Sequence, residues 1–131
     1  MENGQKNILI VDDEKDIVSV VKRGLEKAGY HVNAFTEPQQ ALDHFKPDFY
    51  NLAILDIRMP KMSGFELYRE LKKKDDKLKV CFMTAFEIYY NEFHKMFPNV
   101  DVRRFIRKPV SLSELESIVK DELDQKGRHP S

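Results

Sequence analysis

The fold is decided by a short apolar run that ends abruptly in an acid and then in a proline, LAILDIRMP at residues 52–60. Its first four residues show no alternation of apolar and polar side chains, which is typical of a central parallel strand covered on both faces. In open α/β sheets, ligands bind beyond the carboxyl ends of such strands. Asp56 therefore stands where a functional carboxylate would lie, although an acid at this position also commonly begins a turn.

Length and composition limit the class of protein. The chain has 131 residues, which suits one domain, and its 22 Lys and Arg residues balance 22 Asp and Glu residues, so charge gives no reason to expect direct nucleic-acid binding. No apolar run approaches the roughly 20 residues that span a bilayer, and the lone Cys81 suits a reducing compartment. We expect a single domain over residues 1–131, with a core at about 8–126, in the cytoplasm and without membrane insertion.

Strands and helices alternate along the chain. Apolar or β-rich segments predict five strands, at residues 8–11, 30–35, 52–56, 80–84 and 102–107. Apolar residues at helical spacing predict a helix after each strand, including an aromatic fourth helix over 88–97. Capping-box patterns at Ser63 and Ser113 predict the starts of the third and fifth helices. The pattern predicts an α/β fold: a single doubly wound, flavodoxin-like (βα)5 domain with a five-stranded parallel sheet in the order 2-1-3-4-5.

Four of the five predicted strands end in polar residues that a core would not choose. They are Asp12 and Asp13, Asp56, Thr84, and Lys108. The carboxyl ends of parallel strands share one sheet edge, so the predicted order places the acid pair and Asp56 on either side of the switch-point crevice. Each residue alone has an ordinary explanation as a cap, a strand residue or a surface group. Their coincidence on one edge indicates a site.

The residue types in this set suit phosphoryl transfer to a carboxylate. Three crowded carboxylates repel one another unless a cation compensates, and Mg²⁺, with Mn²⁺ as an alternative, prefers such oxygen ligands. Asp56 would be the nucleophile, while the metal and Lys108 would neutralise charge on the phosphoryl oxygens. Thr84 would offer its hydroxyl to the attached group.

In this ordered set of motifs, from residue 8 to about 126, the chain resembles the receiver domains of response regulators in two-component signalling. The matching motifs are the acid pair, DIRMP around Asp56, Thr84 followed by Ala85, KP at 108–109, and Gly64. The resemblance implies that Asp13 and Asp56 bind Mg²⁺, with Asp12 acting through water and Arg58 through its backbone carbonyl. It also implies a sensor histidine kinase as phosphodonor, and a signalling protein that catalyses only its own phosphorylation from small donors and its own dephosphorylation.

The resemblance further implies a switch that signals to a downstream protein. By analogy with similar proteins, Thr84 of this chain would move toward the phosphoryl group. Phe105, three residues before Lys108, would rotate. The surface of the fourth helix, fifth strand and fifth helix would change, and two copies could pair through it. Candidates for the partner face are Phe86, Tyr89 and Tyr90, and we expect the bulky Phe86 to slow entry of water to the phosphoryl group.

Competing functions remain open or are disfavoured by particular residues. An aspartyl-phosphate enzyme of the haloacid-dehalogenase type would carry a second acid where Arg58 stands, and a flavin phosphate would be repelled by the acids after the first strand. A P-loop signature is missing. A receiver-fold interaction module that works without phosphorylation, and a phosphorelay intermediate, stay as alternatives. The sequence leaves open whether the domain acts alone or within a longer chain.

Overall fold

The computed structural model describes residues 4–85, 95 and 104–124. Its five strands form one parallel sheet in the order β2-β1-β3-β4-β5, which confirms the predicted topology. The strands are β1 (Asn7–Val11), β2 (His31–Phe35), β3 (Leu52–Asp56), β4 (Val80–Thr84) and β5 (Arg104–Arg107).

Four helices have bounds within the described residues. They are α1 (Lys15–Lys27), α2 (Pro38–Asp43), α3 (Gly64–Lys74) and α4 (Leu112–Asp124). Pro38 occupies the start of α2, where its missing N–H is not needed. The predicted helix over 88–97 lies outside the described residues except for Lys95, which is helical. The aromatic candidates Phe86, Tyr89 and Tyr90 also lie outside them.

The core has two layers because successive side chains of a strand point to opposite faces of the sheet. On one face Leu9, Leu55 and Phe82 pack against α2 and α3. On the other face Ile8, Ile54 and Cys81 pack with residues of α1 and α4. Both faces of β1, β3 and β4 are therefore buried, which explains why these strands lack polar alternation.

One of the two predicted capping boxes is confirmed and the other is wrong. Ser63 Oγ accepts a hydrogen bond from the Glu66 N–H, and the Glu66 side chain accepts from the Ser63 N–H. At α4, Ser111 is used in place of Ser113: its Oγ accepts from the Glu114 N–H at 3.1 Å. Two overlapping serine–acid patterns occur there, and the helix begins at the earlier one.

Candidate functional site

The predicted site residues lie together at the carboxyl edge of the sheet. Asp56 and Thr84 are the last residues of β3 and β4, while Asp12 and Lys108 directly follow β1 and β5. The strands are in close register there, with Asp56 paired to Met83 and Thr84 paired to Arg107. The structure therefore brings the five polar strand-end residues to one crevice.

Lys108 is the positive centre of this crevice. Its Nζ lies 2.8 Å from Asp12 Oδ2, 3.0 Å from Glu14 Oε1 and 3.5 Å from Asp56 Oδ1. Asp12 is fully buried, and its other oxygen, Oδ1, accepts a hydrogen bond from the Glu14 N–H at 2.9 Å. The ammonium group therefore contacts both the acids after β1 and the acid at the end of β3.

Asp12, Asp13 and Asp56 form a carboxylate cluster that fits a divalent cation. One oxygen from each lies within 4.8 Å of the other two. Asp12 and Asp56 are buried, and Asp13 is more exposed, so the cluster can be reached from solvent. Hard oxygen donors at this spacing are the ligands that Mg²⁺ and Mn²⁺ prefer. Arg58 lines the same crevice, two residues beyond Asp56.

Crowding of these acids changes their proton affinities. Burial raises the pKa of Asp56 to about 7, the charge of Asp12 adds to the rise, and Lys108 opposes it. Burial likewise raises the pKa of Asp12, against the effect of its contact with Lys108. Burial alone would lower the pKa of Lys108, but its contacts with Asp12 and Glu14 outweigh burial and raise it. Lys108 therefore stays positively charged, while its single charge does not fully offset the negative charges of Asp12 and Asp56.

Gly64 is required by a close approach of backbone segments beside Asp56. A Cβ atom at Gly64 would lie 2.2 Å from the Asp56 carbonyl oxygen and 2.9 Å from the Ile57 Cα. The Gly64 N–H also donates to the Ile57 carbonyl at 2.8 Å. The glycine thus lets α3 begin directly against the chain that leaves β3, which fixes the backbone around the acid.

The predicted switch residues have distinct surroundings. Thr84 is buried and lines the crevice, and its carbonyl oxygen accepts a hydrogen bond from the Lys108 N–H at 2.8 Å. Phe105 is half-buried, and its ring lies 5.5 Å from the ring of Phe82, between centroids. Because Phe82 is fully buried, Phe105 connects the face of β5 to the core beneath the site.

Glu14 is a site residue that the sequence did not single out. It follows the acid pair and precedes α1, where an acid is normally explained by the positive end of a helix dipole. Its contact with Lys108 joins residues 94 positions apart, and no local pattern signals such a pairing. The run of three acids at 12–14 was the one hint available in the sequence.

The comparisons with known proteins identify the family. The family model of the response regulator receiver domain matches residues 8–120. The chain therefore belongs to the response regulator receiver family, as its motifs predict. Among curated relatives, the phosphoglycerate transport system transcriptional regulatory protein PgtA of Salmonella typhimurium is 31% identical over 132 residues, 96% of this chain and 30% of PgtA. The chain thus spans less than a third of that relative's length.

Solved structures agree with this assignment. The CheY-like response regulator receiver domain protein of Methanospirillum hungatei is 31% identical, with a TM-score of 0.79 over 93% of this chain and 96% of that one. The response regulator TrrA of Thermotoga maritima, solved in complex with Mg²⁺-BeF, is 30% identical, with a TM-score of 0.75 over 90% of this chain and 99% of TrrA. Among the helices of the described residues, none combines the length and the apolar composition that a membrane span requires.

Proposed function

We propose that this receiver accepts a phosphoryl group on Asp56 from a sensor histidine kinase, in a Mg²⁺-dependent reaction, and passes the signal to a downstream protein. The observation that carries the proposal is the crevice itself, where three carboxylates and one charged lysine converge at the carboxyl edge of the sheet. The Mg²⁺-BeF complex of TrrA supports the same chemistry for a related chain.

Each residue has a role that follows from its position. Asp56 is the nucleophile, and Lys108, 3.5 Å away, favours its charged form and then neutralises the transferred group. Mg²⁺, held by Asp13 and Asp56, by Asp12 through water and by the Arg58 carbonyl, would add positive charge beside the phosphoryl oxygens. These charges supply most of what phosphoryl transfer requires, since the protein has little covalent work to do.

The donor protein has a surface beside the site on which to dock. A groove of about 520 Å³ between α1 and the loop after β5 is lined mainly by apolar side chains, with Glu14, Asp16 and Lys108 as its charged residues. Val20, on its α1 side, is 48% exposed, more than any other large apolar residue in the described ranges. An apolar patch that reaches the acceptor crevice suits a protein phosphodonor, for which a small donor such as acetyl phosphate can substitute in the test tube.

Thr84 and Phe105 are the residues that would pass the signal from the phosphoryl group to the partner surface. Thr84 would bind the attached phosphoryl group through its hydroxyl, and the space it vacates would let Phe105 move on the Phe82 ring. Phe105 has no hydroxyl, so the movement must be driven by packing alone. Phe86, Tyr89 and Tyr90 remain predictions for the partner face, as do pairing of two copies through it, a cytoplasmic location and the absence of any activity on other substrates.

The proposal is tested by incubating the native protein and Asp56→Asn with acetyl phosphate and Mg²⁺, followed by intact mass. We expect a phosphate-sized gain in the native protein only, abolished by chelator. Asp76→Asn, which alters an exposed acid in the turn after α3, is the matched control and should gain phosphate normally. If the native protein neither gains phosphate nor binds beryllofluoride, the phosphorylation-independent interaction module becomes the better account.

A further inference from the structure

The ammonium group of Lys108 is surrounded by acids before any phosphoryl group arrives, and it donates a hydrogen bond to Glu14 Oε1. An ammonium has three N–H donors, and three carboxylates lie around this one, from Asp12, Glu14 and Asp56 at 2.8, 3.0 and 3.5 Å. A phosphoryl group on Asp56 needs one of these donors. Asp56 is the most distant of the three acids, so an ammonium group drawn toward a phosphoryl group on Asp56 moves away from Asp12 or from Glu14.

The exposure of the three acids decides which contact is released. The Asp12 side chain is fully buried, so withdrawal of Lys108 from it would cost more than withdrawal from an acid that water can reach. The Glu14 side chain is 59% exposed, so water can replace the ammonium there with little loss. Asp56 is the acceptor, and its own contact is rebuilt through the phosphoryl oxygens. The contact between Lys108 and Glu14 is therefore the one that is released.

We propose that Glu14 is a positioning residue that holds Lys108 in the unphosphorylated receiver and gives it up to the phosphoryl group on Asp56. This inference rests on the proposed function of the same site. In the reaction with acetyl phosphate, an Asp56 oxygen forms a bond to phosphorus while the phosphorus–oxygen bond to acetate breaks, and acetate leaves with the electron pair. Lys108 then exchanges Glu14 for an oxygen of the transferred group, so Glu14 opposes phosphorylation in proportion to its hold on the lysine.

A simpler effect of Glu14 must be separated from this one. A negative charge at the mouth of the crevice would repel an incoming anion even without contact with Lys108. Glu14→Gln removes both the charge and the ion pair. Glu14→Asp keeps the charge but is shorter by one methylene, so its carboxylate falls short of Lys108. Asp16→Asn removes an acid from the same groove that has no contact with Lys108 in the described structure.

The test is the affinity of each variant of the 131-residue chain for beryllofluoride in saturating Mg²⁺, measured by ¹⁹F NMR, and its affinity for Mg²⁺ alone. We expect Glu14→Gln and Glu14→Asp to bind beryllofluoride about two- to fivefold more tightly than the native protein, as for loss of an exposed ion pair. Asp16→Asn should match the native protein. The Mg²⁺ affinity of Glu14→Asp should stay native, which a general structural effect of the substitution would not allow.

Three results would overturn the inference. Native affinity in Glu14→Gln would show that Glu14 does not restrain Lys108. Tighter binding by Glu14→Gln together with native affinity in Glu14→Asp would show that charge alone acts. Failure of the native protein to bind beryllofluoride at all would remove the proposed function as well, and so differs from the first two results.

Discussion

Replacing the phosphoacceptor Asp56 by Asn should stabilise the metal-free protein at alkaline pH. Burial and the neighbouring acids raise the pKa of Asp56 from 3.8 to about 7. Between these values the folded protein holds a proton that the unfolded chain has lost, so this group makes stability fall as pH rises through that window. A shift of about three pKa units corresponds to about 4 kcal/mol at roughly 1.4 kcal/mol per unit, which is the upper bound for the effect.

The assay is urea unfolding followed by circular dichroism, since the chain has no Trp, in chelator at several pH values. Asp56→Asn should match the native protein near pH 4, where both side chains are neutral. At pH 8 Asp56→Asn should be more stable than the native protein by about 2–4 kcal/mol, which is most of the upper bound set by the pKa shift. Asp76→Asn, at an exposed acid, should show no such pH-dependent gain. The explanation that Asp56 carries an uncompensated charge would be refuted in either of two cases. The difference in unfolding free energy between the two proteins would not grow with pH, or the native protein would be the more stable one at pH 8.

Three further changes test the surroundings of the site. Mg²⁺ at 100 times its dissociation constant should stabilise the native protein by about 2.7 kcal/mol at pH 8. Calorimetry should show weaker Mg²⁺ binding at pH 6 than at pH 8, because the proton on Asp56 competes with the metal. Gly64→Ala should cost more than about 1 kcal/mol in urea unfolding, since its Cβ would meet backbone at 2.2 Å. In the control Gly24→Ala the Cβ would lie 2.7 Å from the end of the Leu112 side chain, which can shift, so this substitution should cost less than Gly64→Ala. Equal losses would contradict the backbone clash as the cause. Arg104→Ala should lower the melting temperature through a loss of about 1–3 kcal/mol, because Glu122 stays buried without the guanidinium that now lies 3.0 Å away. An unchanged melting temperature would show that this pair does not hold α4 to β5.

The fold and the central site could be predicted because each depends on a local signal. A strand buried on both faces needs a continuous apolar run, so 52–55 and 80–83 are recognisable without the structure. The topology then brings strand ends to one edge, and Asp12, Asp56, Thr84 and Lys108 meet there as expected. The capping box at Ser63 is equally local, since both of its hydrogen bonds lie within four residues.

What could not be predicted depends on contacts between distant segments or on a choice between equivalent patterns. Glu14 looks like an ordinary acid before a helix until the loop after β5 brings Lys108 to it. Ser111 and Ser113 carry the same spacing to a glutamate, and only the path of the chain out of β5 decides between them. Gly64 is recognisable only through the family resemblance, because the clash that excludes a side chain there is with backbone at the end of β3, which no helix or turn propensity encodes.

The most direct test of the central claim is to locate the phosphoryl group on the chain. After reaction with acetyl phosphate and Mg²⁺, borohydride reduces an aspartyl phosphate to homoserine, and peptide mass spectrometry identifies the residue converted. We predict homoserine at position 56 and at no other acid, with none formed in chelator. Conversion at Asp12 or Asp13, or phosphorylation that leaves Asp56 unchanged, would contradict the assignment of Asp56 as the phosphoacceptor.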